Sequence, residues 1–238
     1  MNSEPGLDLA LEFAAAAVAI AMEPDLASTR RRIAELAVEK LGVRAAALWR
    51  VSRDDLRLDL CTDEQLNGVL SRIAVGTDSL ARACYAGNAN LVVRDYASET
   101  RWPAYARQLV GRTEIRSAAG FCLGLGGSPI GALVLYESQA GALTDQRLAR
   151  AAIFAAHASV ALDDANQADR AANLERALGS NRRIGMAIGV LISLHKMTEE
   201  QAFDRLRVAS QNNHVKLHEV AEDVILTGAV PEWPARAG

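Results

Sequence analysis

Cysteine is scarce in this 238-residue chain, and the little there is excludes two classes of site. Cys61, Cys84 and Cys122 are odd in number, widely spaced and without a CxxC pair. This argues against a disulfide framework and against a thiolate metal centre. Long apolar runs are lacking too. Between Arg183 and His195 lie eleven uncharged residues, about half of the roughly 20 that a membrane-spanning helix needs. The alanine-rich run at 9–22 is interrupted by Glu12 and preceded by no Lys or Arg, unlike a secretion signal. Nothing here carries the chain across a membrane, and the expected compartment is the cytoplasm. His214 and His218 stand four apart, but no carboxylate or cysteine joins them at metal-ligand spacing. No catalytic arrangement competes, so neither enzyme chemistry nor a metal or other cofactor is expected. A strong excess of one charge is also missing. With a formal net charge of −3, the molecule as a whole has no electrostatic footprint for nucleic acid.

What is present is enough apolar residue, half of the chain, for one large core or two smaller ones. Two helices are expected in the first forty residues, split near Pro24, the second stopped by Gly42 where a C-terminal glycine belongs. The period then changes. VRAAALWRV (43–51) and LRLDLC (56–61) read as two strands joined by a turn at 52–55. Residues 62–87 look helical and loop-like, and ANLVV (89–93) is a short strand. AAGFCLGLG (118–126) and PIGALVLYES (129–138), separated by a tight glycine turn, form a central hairpin. An antiparallel sheet of about five strands, with helices from both ends of the domain packed on one face, is an α+β fold.

Beyond Leu143 the strands stop. Residues 144–196 contain no proline and predict some fifty residues of helix, on the order of 75 Å long, with a break expected at Gly179. Ile153, Val160, Leu162, Leu174 and Leu178 give it a loose apolar stripe. The stripe predicts a coiled-coil-like pairing, and hence a homodimer. Thr198 and Gln201 make a capping box for a second helix, whose packed face is read as Ala202, Phe203, Leu206 and Ala209. Leu217, Val220, Ala221, Val224 and Ile225, at i, i+3, i+4, i+7 and i+8, mark a third that ends at Gly228. Together these make a three-helix unit too small for a cleft of its own, which fits a binding module. Residues 176–218 hold seven Lys/Arg against three acids, a local excess of four, the one polyanion hint in the chain.

The run RIGMAIGVLI at 183–192, then AFDRLRVASQ at 202–211 and VKLHEVAEDVILTG at 215–228, resembles the ANTAR domain of transcription antitermination regulators. Arg183, Ile184, Ala187, Gly189, Leu191, Ala202, Phe203, Leu206, Arg207, Lys216, Leu217, Val220 and Ala221 fill its pattern. The chain departs from it at Ile192, where Met is usual, and at His214, where Asn is often seen. More loosely, DYASETRWPAYA (95–106), IRSAAGFCL (115–123) and IGALVLY (130–136) resemble a GAF domain, the sensor type often found ahead of ANTAR domains in actinobacterial proteins. Where relatives often carry Gly-Glu-Gly-Pro-Cys, this chain has VGTDSLARACYAG.

The resemblance implies a GAF-like sensor at 1–143, a connecting helix at 144–178 and an ANTAR RNA-binding domain at 179–230. The expected function is an antitermination regulator that binds stem-loops in nascent mRNA, the hairpins usually paired. The GAF domain would sense an unknown small molecule, with Trp102 and Tyr105 as candidate contacts, or serve dimerisation. Residues expected at RNA are Arg182, Arg183, Ala187, Gly189, Lys196, Arg205, Arg207, Ser210, Asn212, Asn213 and Lys216. Cations hold phosphates, amides and hydroxyls read bases, and a guanidinium offers a bidentate fork. Two glycines inside a helix each cost about 1 kcal/mol relative to Ala, so Gly185 and Gly189 imply either close helix packing or a nucleotide approaching a bare surface. The alternative is a GAF-containing DNA-binding transcription factor. Against it, the last two helices carry Glu199, Glu200, Asp204, Glu219, Glu222 and Asp223 and no clearly basic recognition face. Some GAF domains reduce free methionine sulfoxide with paired cysteines, but the cysteines here are not in that setting.

Overall fold

The computed structural model describes residues 5–52, 55–73 and 78–231, with backbone alone at 5–10. In chain order the elements are α1 (Pro5–Ala21), α2 (Leu26–Leu41), β1 (Ala45–Ser52), β2 (Asp55–Cys61), α3 (Glu64–Ile73), α4 (Leu80–Gly87), β3 (Leu91–Val93), α5 (Pro103–Arg112), β4 (Ser117–Leu125), β5 (Ser128–Glu137), α6 (Asp145–His195), α7 (Glu199–Asn213) and α8 (Leu217–Thr227). The chain divides into two compact units, residues 1–169 and 170–238, and α6 supplies residues to both.

In the first unit the strands form one antiparallel sheet in the order β2-β1-β5-β4-β3, so β2 and β3 are its edges. Leu125 and Ser128 pair across a two-residue loop, Gly126–Gly127, with φ of +59° and +82°. Positive φ at both loop residues matches the right-handed twist of the strands, and glycine takes it without a Cβ penalty. The expected turn between β1 and β2 includes residues 53–54, which lie outside the described residues.

Successive residues of the central strands are buried on opposite faces. Ala46, Leu48, Phe121, Leu133 and Leu135 join one core, while Ala47, Trp49, Ala118, Val134 and Tyr136 join another. The first face is covered by α1, α2 and the start of α6, with the rings of Phe13 and Phe154 6.4 Å apart. These are the terminal helices expected there. The second face is covered by a layer the sequence reading left as helix and loop, α3, α4 and α5, through Leu66, Leu70, Leu80, Cys84, Tyr105 and Leu109. The cause is visible in β1 and β5: strands apolar at consecutive positions cannot leave either face to water.

Asp25 begins α2 by accepting the Ser28 N–H at 2.8 Å, and Gly42 ends it at φ +61°. The exposed carbonyls at that end are met by two arginines of α6. Arg147 donates to Gly42 O at 2.9 Å and Leu41 O at 3.3 Å, and Arg150 donates to Lys40 O at 3.2 Å. Cations at a helix C-terminus offset its partial negative charge, so α6 is fastened where it starts as well as packed.

Helix α6 runs 51 residues without interruption, through Gly179, where a break was expected. A single glycine costs only about 1 kcal/mol, and packing at both ends of the helix outweighs that. Its early part buries Ala151, Phe154, Ala155, Ala158 and Leu162. Residues 167–178 are exposed on every side, Leu174 and Leu178 included.

The second unit has its own core. Ala187 and Leu191 of α6 pack with Ala202, Leu206 and Ala209 of α7 and with Val220, Ala221 and Val224 of α8. The capping box of α7 is formed in both directions: Gln201 N–H donates to Thr198 Oγ1 at 3.3 Å, and Thr198 N–H donates to Gln201 Oε1 at 3.0 Å. His214, left-handed at φ +52°, closes α7, and Gly228 closes α8.

Candidate nucleic-acid interface

The cations expected at RNA fall into two groups. Arg183 Nη1 lies 3.6 Å from Glu222 Oε2, and Arg207 donates from Nε and Nη2 to Asp204 Oδ1 at 3.1 and 2.9 Å. These pairs are solvent-exposed, so each contributes little stability and can be exchanged for a phosphate. Arg182, Lys196, Arg205 and Lys216 are exposed and have no acidic partner among the described residues.

Four of the expected residues share one groove. Lys196, Arg205, Asn212 and Asn213 line a depression of 1080 Å³ where the end of α6, one side of α7 and the chain after α8 meet. Lys196 is held in the left-handed region at φ +54°, with its N–H on Ile192 O at 3.1 Å. Arg205 and Asn212 lie on the same side of α7, seven residues apart. The apolar lining includes Met197, Val208 and Val230, and Gln201, His195 and Asp204 complete the polar lining. His195 Nε2 is 3.0 Å from Gly228 O, at the last turn of α8.

The remaining expected residues lie outside this groove. Ala187 is fully buried and serves the core. Ser210 donates to Val215 O at 2.6 Å, tying the end of α7 to the start of α8, and Lys216 stands at the N-cap of α8. Gly189 and Gly185 are exposed, and a Cβ on either would meet, among the described residues, no atom within 4 Å beyond its own stretch of helix. Arg182 shares that outward side of α6.

Sequence reasoning missed His195, Met197, Gln201 and Val208 as groove residues. The sequence pattern marks Gln201 only as a cap and gives Met197 and Val208 no role. Phe203 was placed with the packed face of α7 but is 40% exposed. It sits one residue, about 100°, from the Ala202–Leu206–Ala209 line, and that spacing could have separated it.

In the first unit, Trp102 and Tyr105 are buried in the core on the α3–α5 side of the sheet. The Arg101 guanidinium lies 4.6 Å from the Trp102 ring centroid, and the rings of Tyr96 and Tyr105 are 6.1 Å apart. The Tyr96 hydroxyl and the Trp49 Nε1 are buried without a hydrogen-bond partner among the described residues. Burial pushes the Cys61 thiol up to about 11 and the Cys84 thiol up to about 12, which leaves both as poorly reactive thiols at neutral pH.

A five-stranded antiparallel sheet with a helical layer on each face defines a GAF fold, and solved structures share it. The GAF domain of an Acinetobacter phosphoenolpyruvate-protein phosphotransferase superposes with a TM-score of 0.55 at 14% identity, over 70% of this chain and 97% of its own. The GAF domain of the corresponding Coxiella burnetii protein gives 0.55 at 12%, over 70% and 99%. A free methionine-R-sulfoxide reductase from Neisseria meningitidis, solved with its substrate, gives 0.53 at 14%, over 71% and 96%. At such identities the likeness is one of fold alone. No curated protein matches the chain. The GAF domain family model matches residues 23–163 and the ANTAR domain model matches residues 172–225. The chain belongs to the GAF domain family and carries an ANTAR domain after its GAF domain.

Proposed function

We propose that the chain is a transcription antitermination regulator, acting in the cytoplasm, whose ANTAR domain binds RNA stem-loops, usually paired, in mRNA leaders. The observation that carries the reading is the ANTAR match at 172–225, reinforced by five exposed cations there, Arg176, Arg182, Lys196, Arg205 and Lys216, that have no acidic partner among the described residues. Arg183 and Arg207 can add to them by releasing Glu222 and Asp204. The acids of α7 and α8, with Glu199, Glu200, Glu219 and Glu222 all exposed, disfavour insertion of either helix into a DNA groove. A titration of the full chain with a dual-hairpin RNA and with duplex DNA of equal charge tests this. Tight RNA binding and weak, salt-sensitive DNA binding is the expected result, and sequence-specific DNA binding of equal strength would overturn it.

The GAF domain, on this reading, senses a small molecule in the Trp49–Tyr96–Tyr105 core and joins two copies of the chain. Self-association is supported by large apolar side chains on the outer side of the terminal helices. Leu11 and Val18 of α1, Met22 just past it, and Ile153 and Val160 of α6 are exposed, while Phe13 and Phe154 of the same helices face inward. In the second unit, Leu174 and Leu178 of α6 are exposed as well.

A further inference from the structure

The groove in the second unit combines uncompensated positive charge with an uncovered apolar lining. The carboxylate among its lining residues, Asp204, already accepts two hydrogen bonds from Arg207, of 2.9 and 3.1 Å. Lys196 and Arg205, exposed and without an acidic partner among the described residues, therefore set its potential. With them in the lining stand Met197 and Val230, both half-buried, and Val208, which is 45% exposed. A group that fits has a broad apolar face and an anion next to it.

The chain itself returns to this groove. Gly228 closes α8 in the left-handed region, at φ +76°, and its carbonyl lies 3.0 Å from His195 Nε2 at the end of α6. The Ala229 N–H donates to Thr227 Oγ1 at 3.3 Å. So held, the next two residues, Val230 and Pro231, line the groove. In sequence they are followed at once by Glu232 and Trp233, one carboxylate and one large aromatic side chain. At 3.3–3.6 Å per residue, Trp233 is within about 7 Å of chain from Pro231. An indole offers a broad apolar face to Val208 and a favourable sulfur contact to Met197, and attracts a nearby guanidinium or ammonium. The Glu232 carboxylate is the anion that Lys196 and Arg205 lack. A tether this short gives an effective concentration in the millimolar range, so even a weak contact is populated.

We propose that the groove is a docking site for the chain's own Glu232–Trp233 segment, with the indole on Met197 and Val208 and the carboxylate at Lys196 and Arg205. The contact is autoinhibitory: while the segment is docked, two of the cations that would meet a polyanion are covered. Only this consequence, and not the docking, rests on the RNA-binding reading.

The test uses the full chain with its tryptophans replaced by fluorotryptophan and followed by fluorine NMR. Trp49 and Trp102 are buried in the first unit, and Trp233→Phe identifies the third signal by removing it. Docking predicts that the Trp233 signal differs from that of free fluorotryptophan and shifts less on exchange of H2O for D2O. Val208→Glu, which puts a carboxylate against the proposed one, and Glu232→Gln should each move it toward the free position. Val208 is exposed, and a thermal unfolding transition like that of the unaltered chain identifies a folded variant. A Trp233 signal already at the free position, or one that neither substitution moves, would overturn the docking and leave the groove to another occupant. A signal that reaches the free position on dilution would overturn it too, because the segment would then come from a second copy. The consequence is read by titrating a dual-hairpin RNA into the unaltered chain and into Trp233→Ala, which keeps the charge. If the segment is docked nine-tenths of the time, the variant should bind about tenfold more tightly. Equal affinities beside a docked Trp233 would overturn the autoinhibition while the docking stands. If neither chain binds the RNA, the RNA reading is lost, and the fluorine signal still decides the docking.

Discussion

Replacing Gly189 by Ala separates two roles that a glycine inside a helix can have. The residue lies in α6, exposed, and beyond its own stretch of helix no atom of the described residues is within 4 Å of where its Cβ would be. Inside this chain nothing resists the added methyl, so the helix should gain the propensity difference, about 0.5–1 kcal/mol. For a unit of this size that corresponds to a rise of roughly 2–8 °C in the melting temperature of the C-terminal transition. Gly228→Ala is the opposing control in the same unit. Its φ is +76°, and a Cβ there would lie 2.8 Å from Leu194 Cδ1, so it should destabilise by about 1 kcal/mol or more. Thermal unfolding followed by circular dichroism, read beside an RNA titration, checks both. A more stable Gly189→Ala variant with weakened RNA binding is expected if the bare face meets a nucleotide. A less stable one would refute the reasoning, because it would mean that another backbone packs on that face.

Leu191→Ala removes a fully buried side chain from the centre of the three-helix core and should cost about 2–5 kcal/mol; the C-terminal transition falls while that of the GAF domain stays, and two equally lowered transitions would contradict the separate cores. Val18→Glu combined with Val160→Glu should convert a dimer into a monomer in sedimentation experiments, and a dimer that persists would place the interface elsewhere. Stability of the GAF domain should fall in alkali. Cys61 and Cys84 are raised by burial from 9.0 to about 11 and about 12, and Tyr96, Tyr105 and Tyr136 are raised for the same cause. For acids raised in the folded state the stabilisation is complete below the unfolded value, near pH 9 for the thiols, and is lost as pH climbs through the folded one. Urea midpoints between pH 8 and 11 should show the decline, and Cys84→Ala, though weaker at neutral pH, should decline less steeply; identical slopes would remove the thiol from the account.

How much of this could be read from residues alone varied with the range of the interactions. The capping box at Thr198 and Gln201 and the stop at Gly42 depend on neighbours in sequence, and both were legible. The strands AAALW and GALVLY were legible as strands, and their unbroken apolar character already required cover on both faces. The second helical layer went unread because α3, α4 and α5 are short and each buries only a few residues, such as Leu66, Leu70 and Ile73. Arg205 and Lys196 announce a polyanion site by charge, but the groove between them needs the end of α6 to meet the chain after α8, and no local pattern encodes that meeting. Phe203 shows the opposite failure: the α7 pattern was right and the residue was assigned one helical step too generously. Gly189 was undecidable until the space around it was known.

The two edges of the sheet bear on how copies of this chain can meet. β3 has three residues, and β2 carries Asp55, Arg57 and Asp59, with Asp59 held by Arg30 and Arg50 and Asp55 by Arg82. A short strand at one border and a charged one at the other give an incoming strand little backbone to extend. The sheet therefore offers poor ground for fibril-like growth, and the self-association proposed above would fall to the helical surfaces, where contacts can form and part without unpicking a β ladder.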